Sequence, residues 1–304
     1  MYVIETDKLT KIYGELVAVD HIDLKVREGR IYGFLGPNGA GKTTTISMLV
    51  GLVAPTSGKA FIKGIDVQEN PIEVKRIIGY LPAENGLYPH MTALENLLFF
   101  AKFYKIPKNE AEKRANELLD LVGLKEAKNK RVGEYSTGMK QRAALAQALI
   151  NDPEILFLDE PTSGLDPRGA HEMRELIKEL KKEGRTIFFS SHILPEVDEL
   201  SDDIGIIVSG KLVAQGSKEE LKQMILKDNI RILVETEEPL PDLGNFGIVK
   251  PLRENKAIIY TKDDCRKELL HFLLSLGLHV VDIHLIEPTL EEIFMKVAYG
   301  EEVI

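Results

Sequence analysis

The chain has 304 residues, 44% hydrophobic and 29% charged, with 39 Lys and Arg against 48 Asp and Glu for a net charge of −9. That length and balance suit a soluble protein with one large domain and a smaller companion, or two moderate domains, and the acidic excess argues against non-specific binding to nucleic acid. The longest nearly apolar stretch near the end, Phe272–Val281, is far short of the ~20 residues of a membrane span, and Met1–Asp7 lacks the basic-then-apolar layout of a signal peptide.

The first stretch reads as β-rich, with apolar runs at Tyr2–Glu5, Ile22–Val26 and Ile31–Leu35. Leu35 is followed at once by Gly36-Pro37-Asn38-Gly39-Ala40-Gly41-Lys42-Thr43, then Thr44, with a helix predicted from Lys42 to Leu52. This is the pattern G-x-x-x-x-G-K-S/T in the strand–turn–helix setting its chemistry requires. Glycines let successive backbone N–H groups converge on a phosphate chain because no Cβ blocks the approach. The helix start adds its unpaired N–H groups and positive dipole end to the same anion. Lys42 is placed to reach β- and γ-phosphates, and the Thr43 hydroxyl to ligate Mg²⁺. The expected ligand is a nucleoside triphosphate held by Gly36–Thr44.

A hairpin is expected through Ala60–Val67. From Met91 the period turns helical, with Leu94, Leu97, Leu98, Ala101 and Tyr104 on one face. A second helix runs from about Asn109 to Val122 and stops at Gly123, and a third opens near Ser136 and runs to Ile150. Strands then return at Ile155–Leu158, Thr186–Ser190 and Ile204–Val208, alternating with a helix capped by Asp166 and begun by Pro167 and a short one near Pro195–Leu200. Such alternation predicts a parallel sheet with helices on its faces, interrupted by the helical segment. Asp159, at the tip of the strand Ile155–Leu158, would hold Mg²⁺, and Glu160 would polarise an attacking water as general base. Ser136 and Gly138 make a second anion-ready helix start.

Beyond Gly216 the pattern changes to a helix at Ser217–Leu226, a strand at Ile230–Glu235 and a Pro/Gly/Asp-rich loop at Glu237–Gly247. A strand at Ala257–Thr261, a helix at Lys267–Leu276, a strand at Val280–Leu285 and a last helix opened by the capping box Thr289-x-x-Glu292 follow. This reads as a small α+β domain without a catalytic constellation. Its lone Cys265 cannot form an internal disulfide, which agrees with a reducing compartment.

Taken together the chain resembles the nucleotide-binding subunit of an ATP-binding cassette (ABC) transporter. Tyr135-Ser136-Thr137-Gly138-Met139-Lys140-Gln141-Arg142 is similar in loose form to that family's signature Leu-Ser-Gly-Gly-Gln. The departures at Tyr135, Thr137 and Met139 resemble the exporter branch that includes antibiotic-resistance and sodium-extrusion pumps, as does the ending Pro288–Phe294. The resemblance implies an α/β fold: a P-loop NTPase (RecA-like) cassette over residues 1–220, with an N-terminal β subdomain and a helical insertion at about 88–150. An accessory α+β domain would occupy 221–304. It also implies that Tyr13 stacks on adenine, that Ser163-Gly164-Leu165-Asp166 crosses to a partner subunit, and that His192 contacts the γ-phosphate. Lys42, Glu160 and His192 would then be catalytic, with ATP and Mg²⁺ as ligands. Asn129-Lys130-Arg131-Val132 lacks the Asp of a guanine-reading sequence, which favours ATP over GTP.

One departure stands out. Gly79-Tyr80-Leu81-Pro82 is followed by Ala83, where the family has Gln or, in this branch, often an acid. A methyl group can neither ligate Mg²⁺ nor orient water, and whether the adjacent Glu84 substitutes is open. The implied mechanism is a head-to-tail dimer closing on ATP, either a homodimer or a heterodimer with a related ATPase. Lys42, Thr43, Asp159, Glu160 and His192 of one copy would face Ser136 and Gly138 of the other. Hydrolysis would power a separate transmembrane permease subunit docked on the insertion, where Leu87, Tyr88, Met91, Phe99 and Phe100 line a candidate groove. The chain would then sit in the cytoplasm on the inner face of the cell membrane, without nucleic acid. The alternative is a soluble ABC ATPase of DNA repair or translation, whose long coiled-coil insertions or paired cassettes this sequence lacks. An inactive regulatory subunit is a third reading, resting on Ala83 alone.

Overall fold

The computed structural model describes residues 1–84, 86–226 and 230–300, so positions 301–304 of the expected accessory domain lie outside the described residues. The chain divides into two compact units, Met1–Gly216 and Ser217–Ile304. The first begins with β1 (Tyr2–Tyr13), β2 (Leu16–Ile22), β3 (Lys25–Arg27), β4 (Ile31–Leu35), α1 (Lys42–Leu49), β5 (Ser57–Ile62), β6 (Ile65–Asp66), α2 (Pro71–Ile77) and β7 (Ile78–Leu81). It continues through α3 (Ala93–Phe103), α4 (Lys108–Leu121), α5 (Thr137–Ala148), β8 (Ile155–Asp159), α6 (Pro167–Lys182), β9 (Thr186–Ser191), α7 (Leu194–Leu200), β10 (Asp203–Val208) and β11 (Lys211–Ser217).

Two sheets result. An antiparallel sheet has the order β2-β1-β5-β6, with β3 also paired to β1. The other has the order β11-β10-β4-β9-β8-β7, and β10, β4, β9, β8 and β7 run parallel within it. Parallel strands are covered on both faces, so they read as unbroken apolar runs, and every residue of β4 and β8 is buried. One core joins the two sheets across α1, from Ile4, Leu9 and Ile22 through Ile46 and Leu49 to Phe34, Phe157 and Phe188. Phe188 is its hub, with ring centroids 5.3 Å from Tyr32, 5.3 Å from Phe34 and 5.6 Å from Phe157. Rings at such spacing add about 0.5–1.5 kcal/mol per pair to their burial.

The structure corrects several boundaries. The strand expected at Ile22–Val26 is split, because the buried Thr6 hydroxyl donates to Ile22 O at 2.6 Å and accepts from Leu24 N at 2.7 Å in place of ladder bonds. β1 runs well past Glu5. Its polar Asp7 and Lys8, the latter at φ 45°, mark a bend where the strand changes partner rather than its end. Helix α1 stops at Leu49 instead of Leu52, since Gly51 at φ 68° supplies a left-handed stop after the cap Val50. In the insertion, Thr92 and Glu95 form a capping box on α3. The buried Asn96 side chain binds both the N–H and the C=O of Tyr88, which fixes the loop before the helix.

The second unit contains α8 (Lys218–Leu226), β12 (Ile230–Thr236), β13 (Ile248–Arg253), β14 (Lys256–Thr261), α9 (Arg266–Ser275), β15 (Val280–Ile286) and α10 (Leu290–Tyr299). Its sheet is antiparallel in the order β13-β14-β12-β15, and Ile232, Val234, Ile259, Leu269 and Leu273 form the centre of its core. β13 is not expected from sequence: it is an edge strand with mostly exposed side chains, where a proline such as Pro251 is tolerated. Among the described residues, no helix is long and apolar enough to cross a membrane.

Glu292 closes the capping box on α10 and also receives Arg231 Nη1 and Nη2 at 2.7 Å each, a bidentate link from β12. The Arg231 hydrogen bonds are the main reason its carboxyl is held below the ordinary value of 4.5, against the opposing effect of burial. A lowered carboxylate contributes stability above its unfolded value and loses it as pH falls through the folded value. The second unit should therefore weaken in acid more steeply in the native chain than in Glu292→Gln, as read by thermal melts across that range.

Candidate functional site

The parallel sheet sets three strand ends level with one another. Register pairs Leu35 of β4 with Ser191 of β9, and Asp159 of β8 with Ser190 of β9. The loops leaving these ends share one rim, where open α/β sheets bind ligands. From β4 comes the glycine loop, with Gly39 at φ 78° and Gly41, the α1 N-cap, at φ 104°. A Cβ on Gly36 would lie 2.4 Å from Ile207 O, and one on Gly41 2.5 Å from Ala18 O. The loop is thus pressed between β10 and β2, and side chains are excluded there by backbone. Gly210 N donates to Ala40 O at 3.0 Å and fastens it to the turn after β10.

Outside this loop lies a cleft of about 570 Å³, lined by Asn38, Gly39, Gly41, Lys42, Thr43, Thr44, Glu160 and Tyr13. Leu16, Val17, Ala18, Ser209 and Gly210 complete the lining, and sequence reading passed over all five. Leu16 and Val17 are exposed apolar side chains at the hairpin tip beside Tyr13. Tyr13 is 48% exposed at the cleft edge, with the Lys11 ammonium 4.9 Å from its ring centroid.

The charges are arranged as a relay. Lys42, only 5% exposed, donates to Gly36 O at 2.9 Å and Pro37 O at 3.1 Å, and its Nζ lies 3.2 Å from Glu160 Oε1. The other Glu160 oxygen is 3.1 Å from His192 Nδ1. Glu160 has φ 49°, a backbone state that costs a non-glycine residue about 1–3 kcal/mol and persists where neighbours enforce it. One enforcing contact is Ser190 Oγ, which accepts from Glu160 N at 3.0 Å and donates to Asp159 Oδ1 at 2.6 Å. Asp159 is fully buried, and its Oδ2 has no hydrogen-bond partner among the described residues. An unpaired buried carboxylate oxygen is costly unless a cation meets it, so this oxygen and the Thr43 hydroxyl suit a hard divalent ion. Tyr80 lies close by; burial, then the Asp159 charge, push its hydroxyl up to about 12, so it stays a neutral donor.

The remaining expected residues fall elsewhere. Ser136 caps α5, accepting from Met139 N at 3.3 Å, and with Gly138 it lines a second cleft of about 520 Å³ beside Gly164, Leu165 and Asp166. A Cβ on Gly138 would meet nothing nearer than Leu165 Cδ2 at 3.7 Å, so packing within one chain does not demand glycine there. Within one chain the Lys42–Glu160 cleft and the Ser136–Gly138 cleft are separate. Ala83 and Glu84 are both exposed, and neither lines the first cleft. Sequence reading also overlooked Ser190, treating it only as the residue two before His192. Its hydroxyl serves both Asp159 and the Glu160 amide, so Ser190→Ala strands two buried polar groups. That substitution should destabilise the first unit by about 1–3 kcal/mol in urea denaturation.

Residues 19–163 match the family model described as ABC transporter, and 216–298 match that of the C-terminal domain of ATP-binding proteins like DrrA1-3. The chain is 42% identical to the bacitracin transport ATP-binding protein BcrA of Bacillus licheniformis, over 98% of both chains. It is 40% identical to the linearmycin resistance ATP-binding protein LnrL of Bacillus subtilis, over 75% of this chain and 73% of that one. Among solved structures it is similar to a dimeric post-hydrolysis ATP-binding cassette bound to ADP and Pi. The TM-score is 0.66 at 28% identity, covering 70% of this chain and 98% of the other.

Proposed function

Because the chain belongs to the ATP-binding subunits of ABC transporters, an ATPase family, we propose that it hydrolyses ATP in the Lys42–Glu160 cleft as half of a head-to-tail pair serving an exporter. The observation that carries this reading is Glu160, held between Lys42 Nζ at 3.2 Å and His192 Nδ1 at 3.1 Å. A carboxylate aimed this way beside a phosphate-binding loop can take a proton from water, while Lys42 and the loop N–H groups receive the charge that develops on the phosphoryl oxygens. Thr43 and Asp159 would hold Mg²⁺, which when bound neutralises phosphate charge. His192 would orient Glu160 and contact the γ-phosphate, and Tyr13 would offer its ring to the adenine.

A second copy completes the site. Ser136 and Gly138 present a helix start in a cleft of their own, where a phosphate brought by a partner could meet unpaired backbone N–H groups. The dimeric form of a related cassette supports this pairing. As the ATP-binding part of a transporter the chain would act with a separate membrane subunit, at the inner membrane face. The insertion supplies a docking surface: Tyr88 packs edge-on to Phe99 at 5.1 Å, Phe99 to Phe103 at 5.2 Å, and Leu87 and Met91 are half-buried beside them. Next to it a cleft of about 300 Å³ is lined by Tyr80, Pro82, Phe100 and Tyr104. The full-length likeness to a bacitracin transport protein favours an exporter over the soluble role in DNA repair or translation.

Glu160→Gln should retain ATP binding, lose about 10²–10⁴-fold in phosphate release and accumulate as an ATP-bound dimer on size exclusion. Wild-type turnover by that variant removes Glu160 as the base. Ala83→Gln, which restores an amide to the loop after β7, should change turnover severalfold. Identical kinetics would show that this side chain is idle.

A further inference from the structure

Behind the catalytic rim sits a buried acid to which the mechanism above assigns no role. Glu196, in the first turn of α7, is 4% exposed, and its two carboxylate oxygens receive two hydroxyls, one from the loop after β8 and one from the end of β9. Thr162 Oγ1 donates to Glu196 Oε1 at 2.6 Å, and Ser191 Oγ donates to Glu196 Oε2 at 2.6 Å. Both donors are buried. Each stands beside a residue of the proposed site. Thr162 is two residues beyond Glu160, and Ser191 directly precedes His192.

We propose that Glu196 is a positioning residue that locks the Glu160 loop to the His192 segment and so holds the carboxylate–imidazole pair in register. This rests on the reading of Glu160 and His192 given above. Ser191 has no slack: its Oγ also accepts from Ile193 N at 3.0 Å, which braces the segment on both sides of His192, and its O accepts from Gly36 N at 3.3 Å. Thr162 is equally engaged, for its O accepts from Leu165 N at 3.1 Å in the turn that shapes Ser163–Asp166. That turn's Gly164, Leu165 and Asp166 line the second cleft with Ser136 and Gly138. One carboxylate therefore connects the start of the glycine loop, the His192 segment and the loop facing the second cleft. Two hydroxyls converging on one buried carboxyl group make a link that water does not easily replace.

The test is steady-state phosphate release by the full chain in MgATP, with ATP affinity and melting temperature measured alongside. Glu196→Ala should lower kcat by about 10²-fold, as a small misplacement of reacting groups does, while the ATP KM stays near wild type. Glu196→Gln, which keeps the shape and one acceptor oxygen, should recover most of that loss. Thr162→Val, isosteric and unable to donate, should cost about tenfold in kcat. In a His192→Ala background, Glu196→Ala should add little, because the residue through which it acts is already gone. A full further loss in that background, wild-type kcat in Thr162→Val, or effects confined to KM or melting temperature would overturn the proposal. If Glu196→Ala fails to fold, Thr162→Val and Glu196→Gln decide it. Glu160→Gln runs beside them: normal turnover there removes the underlying site reading, whereas an inactive Glu160→Gln with normal Thr162→Val removes only the role of Glu196.

Discussion

Lys42 and Glu160 meet at 3.2 Å because β4 and β8 lie on either side of β9 and all three end at the same level. That register is the constraint on which the site depends. It places a buried ammonium, a strained carboxylate and a histidine at one rim, though Lys42 stands more than a hundred positions before Glu160 and His192 in the chain. A buried charge is tolerated only with partners, and each of these has them: Lys42 two loop carbonyls and Glu160, Asp159 the Ser190 hydroxyl. The strain at Glu160 is local, and the enclosing contacts of β9 keep it in place.

The rest of the first unit serves that rim from two directions. The antiparallel sheet packs through α1 onto Phe34, Phe157 and Phe188, and its hairpin tip brings Tyr13, Leu16 and Val17 to the mouth of the cleft. The insertion, in contrast, carries Ser136 and Gly138 to a second cleft with the Gly164–Asp166 turn. A single copy therefore has Lys42, Glu160 and the glycine loop in one place and the Ser136 helix start in another. This separation is the structural argument for pairing. It also gives physical sense to a small residue at position 138, where the chain's own packing leaves space.

Local patterns were legible wherever a few adjacent residues decide the conformation. The strand–turn–helix around Gly36–Thr43, the Asp166 cap with Pro167 and the Thr289–Glu292 capping box all formed as read, since each depends on neighbours within four positions. Boundaries failed where a distant partner decided them. β1 passes through polar Asp7 and Lys8 because it changes partner there, and β13 exists because β14 offers it an edge. No periodicity within either segment records that choice.

For the site the division has the same cause. The sequence alone determined where the glycine loop opens a helix, where the acids end a buried strand, and that the family is one of ATP-binding cassettes, because those signals are residue types at short, fixed spacing. Only the tertiary structure decided that Ser190 holds Asp159 and the Glu160 amide, that Glu196 joins Thr162 to Ser191, and that Ala83 and Glu84 stay outside the cleft. Those contacts span gaps of up to 34 residues and arise from strand order and register, which no local pattern encodes.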